Sequence, residues 1–215
     1  MNLTLNQNSR EEGQPDLHEI VLATNNSGKI LEIQAILRDC SCAVVPIRQF
    51  LEHFRVEEDG QTYEENAIKK AREAAIATGK IAMADDSGLE IDALGGAPGL
   101  YSARFGGEGL PFAEKMSLLL RQLDGVATRS ARFRCVIALV APDGKVKTAE
   151  GVCEGVIGTE AQGNSGFGFD PIFIVPEHHK TMAELEPEIK NSISHRAQAL
   201  KQFPDLIKSF LSVPV

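Results

Sequence analysis

The sequence predicts an α/β fold built on a long central mixed β-sheet with flanking helices. Two stretches carry this. The chain opens strand–helix–strand: "EIVLAT" (19–24), "GKILEIQAILRD" (28–39) and "CAVVPI" (42–47). Farther on, residues 131–158 read as two long strands joined by Pro142-Asp143-Gly144, a strong turn signal. A hairpin adds antiparallel pairing, which makes the sheet mixed.

Taken in order, residues 1–18 are polar and aperiodic and predict a disordered extension, with one domain over 19–215. The first helix places Ile30, Ile33, Ile36 and Leu37 at helical spacing. "TYEENAIKKAREAAIATG" (62–79) is the clearest helix, with a capping box from Thr62 to Glu65 and a stop at Gly79. Its apolar face holds Ala67, Ile68, Ala71, Ala74, Ala75 and Thr78, with Asn66 and Lys70 on the border and Lys69 turned to solvent. "KIAMA" leads to "DDSG" as a buried strand ending in a polar loop. "LPFAEKMSLLLRQL" (110–123) is amphipathic, and the last helical stretch breaks or kinks at Pro204.

Composition narrows the function. Thirty acidic against 22 basic residues give a net charge of −8, which argues against a broad nucleic-acid surface but not against a local phosphate pocket. No apolar run approaches the ~18 residues of a membrane span. Cys40, Cys42, Cys135 and Cys153 match no zinc or C-x-x-C spacing and predict reduced thiols in a cytoplasmic protein.

Five segments bear chemistry. "TNNSGK" (24–29) puts small polar residues, a glycine and Lys29 at a helix start, where free N–H groups and the dipole favour an anion; an ordinary capped turn would look similar. Glu57 and Glu58, before the 62–79 helix, offer hard oxygen ligands or simply a solvated loop. In "ADDSG", strand alternation sets Asp85 with Ile81 and Met83, and Asp86 with the small Ala82 and Ala84. The two carboxylates therefore have different jobs: Asp86 is the candidate for metal and water, Asp85 for anchoring the turn or supporting the metal shell. "GNSGFGFDPIF" (163–173) lets backbone approach a ligand and offers Phe167 or Phe169 for stacking. "KNSISHRAQAL" (190–200) brings Lys190, His195 and Arg196 to the last helices, with Ser194 as N-cap.

In this order, "TNNSGK", "ENAIKKA", "ADDSGLEIDALGGAPGLYSARF", "GFGFDPIF" and "SHRAQAL" resemble the inosine triphosphate pyrophosphatase family, from about Ile20 to the last helix. The resemblance implies two lobes around a nucleotide cleft, a homodimer and a Mg²⁺ requirement. It also implies hydrolysis of the non-canonical purine triphosphates ITP, dITP and XTP to monophosphate and pyrophosphate. Matched to the family's motifs, Thr24, Asn25, Asn26, Ser27, Gly28 and Lys29 contact the triphosphate, with Lys70 near the phosphates. Asp86 binds metal and accepts a proton, Ser87 touches substrate, and Glu57 or Glu58 completes the metal ligands. Phe167, Gly168, Phe169, Asp170, Lys190, His195 and Arg196 recognise the base. Phe169 stands where related sequences also carry Tyr, and "EHHKT" (177–181) replaces a shorter glycine-containing turn.

Overall fold

The computed structural model describes residues 18–211. The extension expected over 1–18 lies outside them except for His18, which opens the first strand, β1 (His18–Leu22). The chain continues through α1 (Ser27–Ile36), β2 (Cys42–Pro46), α2 (Tyr63–Thr78), β3 (Ala82–Ile91) and α3 (Phe112–Gln122). The hairpin strands β4 (Ser130–Val140) and β5 (Val146–Ile157) follow, then the short β6 (Phe173–Val175) and β7 (Lys180–Thr181). Helices α4 (Pro187–Ile193), α5 (His195–Leu200) and α6 (Phe203–Leu211) finish it.

The sheet is mixed, in the order β2-β1-β3-β4-β5-β6-β7. β1 is parallel to β2 and β3, and every pairing from β3 to β7 is antiparallel. Local chemistry sets α2 as expected: Thr62 Oγ1 accepts the Glu65 N–H, and Gly79 closes the helix with a left-handed backbone. The reciprocal half of the capping box differs, because Glu65 accepts from the Gln61 N–H. Lys69 pairs with Asp59 at the surface rather than standing alone. The final helical stretch breaks at 201–202, and Pro204 sits in the first turn of α6, where its missing N–H costs nothing. In the 177–181 turn His179 takes a left-handed backbone (φ 52°), the one described non-glycine residue to do so.

One expectation is corrected. "DDSG" does not end a strand: β3 runs through it to Ile91, because β4 continues to pair, Ile137 with Asp85 and Val136 with Asp86. The side-chain alternation holds. On one face Met83 joins an apolar cluster with Ile20, Leu22, Ile33, Ile137 and Phe203 beneath α1, α5 and α6. Farther along the same face Leu89 and Ile91 join a second cluster with Leu119, Phe133 and Phe173. Asp85 and Ser87 fall between the two. On the opposite face Ala82 and Ala84 pack under the alanines of α2.

Glycines let the site's supports close in. A Cβ on Gly88 would stand 2.3 Å from the Gly99 carbonyl oxygen and 2.7 Å from the Tyr63 hydroxyl. One on Gly151 of β5 would stand 2.2 Å from the His195 carbonyl and 2.3 Å from the Ala199 nitrogen, so α5 rests directly on the strand there. Because the obstacle is backbone, Gly151→Ala is expected to destabilise by about 1–3 kcal/mol in urea unfolding and to lower activity by displacing α5.

Candidate active site

A cleft opens where β1 stops. The last bond joining β1's edge to β3 runs from the Ala23 N–H to the Met83 carbonyl (2.8 Å). Past it the Asp85 carbonyl has no strand on that side and accepts from Lys70 Nζ (2.8 Å) and Lys29 Nζ (3.5 Å). Carboxyl ends of strands are where open α/β sheets bind ligands.

The 24–29 turn is fastened by its own side chains. Thr24 Oγ1 accepts the Asn26 N–H (3.1 Å), Asn26 Oδ1 caps α1 at the Lys29 N–H (3.1 Å), and Asn25 Nδ2 reaches the Phe54 carbonyl (2.7 Å). Thr24, Asn25, Asn26 and Lys29 line a cavity of about 250 Å³ with Glu58, Lys70, Asp86 and Ser87. Ser27 and Gly28 do not line it, because the first turn of α1 carries them away. Gly28 instead lies against the Phe167 ring, 2.4 Å from where its Cβ would be.

Lys70 organises the floor. Its ammonium donates to Glu58 Oε1 (2.6 Å) and Asp86 Oδ1 (2.9 Å), while Asn66 Nδ2 approaches Asp86 Oδ2 at 3.4 Å. Burial pushes the Asp86 carboxyl up, and Lys70 and Lys29 offset this only in part. Burial acts the same way on Glu58, but Lys70, Lys29 and Arg104 outweigh it and hold that carboxyl below the usual range. Burial alone would lower the Lys70 ammonium, yet Asp86 and Glu58 keep it above its ordinary value. Glu57 is exposed and faces an outer groove. Of the two glutamates, Glu58 lines the inner cavity. Among the described residues no three His, Cys, Asp or Glu side chains converge as a metal cage. Two carboxylates beside a phosphate-sized space nevertheless fit Mg²⁺, which commonly takes one or two carboxylates plus phosphate oxygens and water.

A second cavity of about 90 Å³ shares Asn26, Lys29, Ser87 and Ala103 with the first. Phe167, Gly168, Phe169, Asp170, Lys190, His195 and Arg196 line it, with Phe112 and Phe133. Phe167 lies 5.1 Å from Lys190 Nζ and 5.6 Å from the Arg196 guanidinium carbon. Phe169 is a poor stacking platform: its ring is buried, edge-on to Phe105 and Phe112. His195 stacks on Phe133 at 4.9 Å, and its Nδ1 has no partner. Burial, then Arg196, holds that imidazole well below its ordinary pKa and therefore neutral.

Behind this wall runs an ion-pair network. Arg196 does not point its fork into the cleft. Nε bonds Asp85 Oδ2 (2.8 Å), Nη1 bonds Glu32 Oε2 (2.5 Å) and Nη2 bonds Ser87 Oγ (3.2 Å). Lys190 spans Glu32 and Asp170, each at 2.5 Å, and Asp170 accepts the Phe167 N–H (2.8 Å). Lys29 closes the set on Asp85. Burial alone would raise the Asp85 carboxyl, but Arg196 and Lys29 hold it well below the usual range. Asp85 is thus the hub of a buried network and not a turn anchor. Glu32 is not marked as a site residue by the sequence, and Asn66 only as a border residue of α2. Glu32 sits on the amphipathic first helix like any solvated acid.

A family profile described as the Ham1 family matches residues 20–206. A relative from Desulforamulus reducens, "dITP/XTP pyrophosphatase", is 54% identical over 88% of this chain and 95% of its own length. One of the same description from Bacillus subtilis is 46% identical over 90% and 98%. Two solved structures share the fold. A HAM1 protein from Coxiella burnetii has a TM-score of 0.81 and 46% identity, covering 90% of this chain and all of that one. The Staphylococcus aureus Ham1 protein has 0.79 and 44%, covering 89% and 99%. With the profile spanning nearly the whole sheet and site, this chain belongs to the Ham1 family.

Proposed function

We propose that the protein hydrolyses non-canonical purine nucleoside triphosphates (ITP, dITP, XTP) to the monophosphate and pyrophosphate. The observation that carries this is the pair of cavities with a common wall. One holds two lysines and two carboxylates, the other aromatics and N–H donors, and Asn26, Lys29 and Ser87 border both. A nucleotide has that division. The names borne by the relatives support the same substrate class. A homodimer in the cytoplasm belongs to this proposal through the resemblance, and the four free cysteines suit that compartment.

Glu58 and Asp86 would hold Mg²⁺. When bound, the ion withdraws charge from phosphate oxygens and favours in-line displacement. Lys29 and Lys70, with the positive end of the α1 dipole, supply further positive potential. Asp86 Oδ1 is taken by Lys70, whereas Oδ2 has only the long contact to Asn66. Oδ2 is the atom to orient the attacking water and take its proton, and burial of Asp86 raises its basicity. The proton moves to Oδ2, the water oxygen joins the α-phosphorus, and pyrophosphate departs.

Base choice follows from donors. Hypoxanthine and xanthine present O6 as an acceptor and N1–H as a donor, and adenine presents the reverse. The 167–170 backbone lines that cavity and would meet O6, with Lys190 and Arg196 held behind it in their ion pairs. Guanine shares that edge and must be refused at C2, where a donor would oppose its amino group. Unpaired buried polar groups can discriminate by ~10⁴ or more.

A panel of ITP, XTP, dITP, GTP and ATP with Mg²⁺ should release pyrophosphate from the first three; orthophosphate as product, or equal kcat/KM for GTP and XTP, would refute the assignment. Asp86→Asn should lower kcat by about 10²-fold or more with unfolding unchanged. Asp85→Asn should instead lose about 3–5 kcal/mol in urea unfolding, since Arg196 and Lys29 keep buried charges without their partner. The neutral His195 gives a pH signature. Its folded pKa lies below the unfolded value of ~6.5, so unfolding takes up a proton and stability falls as pH drops below that value. His195→Phe should flatten the decline between about pH 6.5 and 5 in thermal melts recorded without nucleotide.

A further inference from the structure

Both lysines of the phosphate cavity are already matched. Lys29 is held by Asp85, and Lys70 by Glu58 and Asp86. A triphosphate brings several more negative charges than these lysines have left to offer. Past Glu58 the cavity continues into a wider groove with which it shares Arg55, Val56, Glu58 and Ala103. Arg104 lines that groove as well. Among the described residues lining the cleft and groove, Arg55 and Arg104 are the cations with no carboxylate within ion-pair distance. The acids Glu57 and Glu108 of the same groove are exposed and make no ion pair with either.

Arg104 is also held in place. Its guanidinium carbon lies 4.8 Å from the centre of the Tyr101 ring, and Nη2 donates to the Glu58 carbonyl at 3.3 Å. That bond uses one of five N–H donors, and a guanidinium fork matches phosphate oxygens in bidentate fashion.

We propose that Arg104, together with Arg55, binds the diphosphate end of the substrate and grips the pyrophosphate as it leaves. This rests on the hydrolytic function above. When the water oxygen bonds to the α-phosphorus, the bridging P–O bond breaks and its electron pair departs with the pyrophosphate. Negative charge therefore grows at the end of the ligand that reaches the groove, where a fixed guanidinium stabilises the transition state. The Glu58 carbonyl ties the grip to the loop that carries the cavity's second carboxylate.

The test uses the full chain with Mg²⁺ and compares Arg104→Gln, Arg104→Lys, Arg55→Gln and the double glutamine variant. Arg38→Gln, an exposed pair with Asp39, serves as the charge-loss control. Inhibition by inorganic pyrophosphate and binding of inosine monophosphate are measured separately. Arg104→Gln should weaken pyrophosphate by about tenfold or more, as for loss of a charge-assisted hydrogen bond, and the double variant further. Arg104→Lys should recover part of it, and monophosphate binding should stay within about twofold of the parent. Unchanged pyrophosphate inhibition in the double variant overturns the proposal. So does equal weakening of both ligands, which would mark Arg104 as a support of the loop. Should the parent protein turn over no triphosphate, the hydrolytic function fails by itself, and calorimetric binding of Mg-pyrophosphate to the same variants still decides the role of the arginines.

Discussion

Neighbouring side chains on a β-strand cannot face the same way, and the site depends on that constraint. β3 runs unbroken through Asp85 and Asp86 because β4 pairs with both. Two identical carboxylates, one residue apart, are thereby sent into separate environments. Asp85 goes to the face beneath α1 and α5, where Arg196 and Lys29 hold it ionised. Asp86 goes to the face beneath α2, where Lys70 meets it at the rim of a cavity and burial makes it more basic. One acid fixes helices to the strand, and the other lines the cavity beside Lys70.

The network around Asp85 lies between two apolar clusters on one sheet face. It sets Asp85, Glu32 and Asp170 against Arg196, Lys190 and Lys29, three carboxylates to three cations. Ionic clusters of this kind repay their desolvation only with close geometry and are weak stabilisers beside an apolar core. A continuous apolar stripe along β3 would have fused the clusters. The polar seam keeps them apart, and each cation in it is locked to elements from distant parts of the chain.

Much of this was legible in the sequence, because its causes are local. Alternation in "KIAMADDSG" assigns the faces of Asp85 and Asp86, Thr62 and Gly79 bound α2, and Pro142-Asp143-Gly144 makes the hairpin. What was hidden depends on tertiary placement. The doublet of acids resembles a strand end until β4 is known to pair across it. Glu32 resembles a solvated helix residue until α4 and α5 bring Lys190 and Arg196 against it. Arg196 suggests a free donor fork until its three nitrogens are found bonded to Asp85, Glu32 and Ser87. Separation in sequence, 164 residues between Glu32 and Arg196, is what concealed the last two.

The wall common to both cavities has a metric consequence. Asn26, Lys29 and Ser87 belong to a capped helix start and a central strand, so the spacing between the two compartments is built into rigid parts of the sheet. On the proposed function the cleft acts as a caliper, with the phosphates in one jaw and the base in the other. A free base or an inorganic polyphosphate touches only one jaw and gains none of the additive benefit of occupying both. On the proposed function, a molecule that joins a base to phosphates gains from both compartments at once, and one that carries a single part does not.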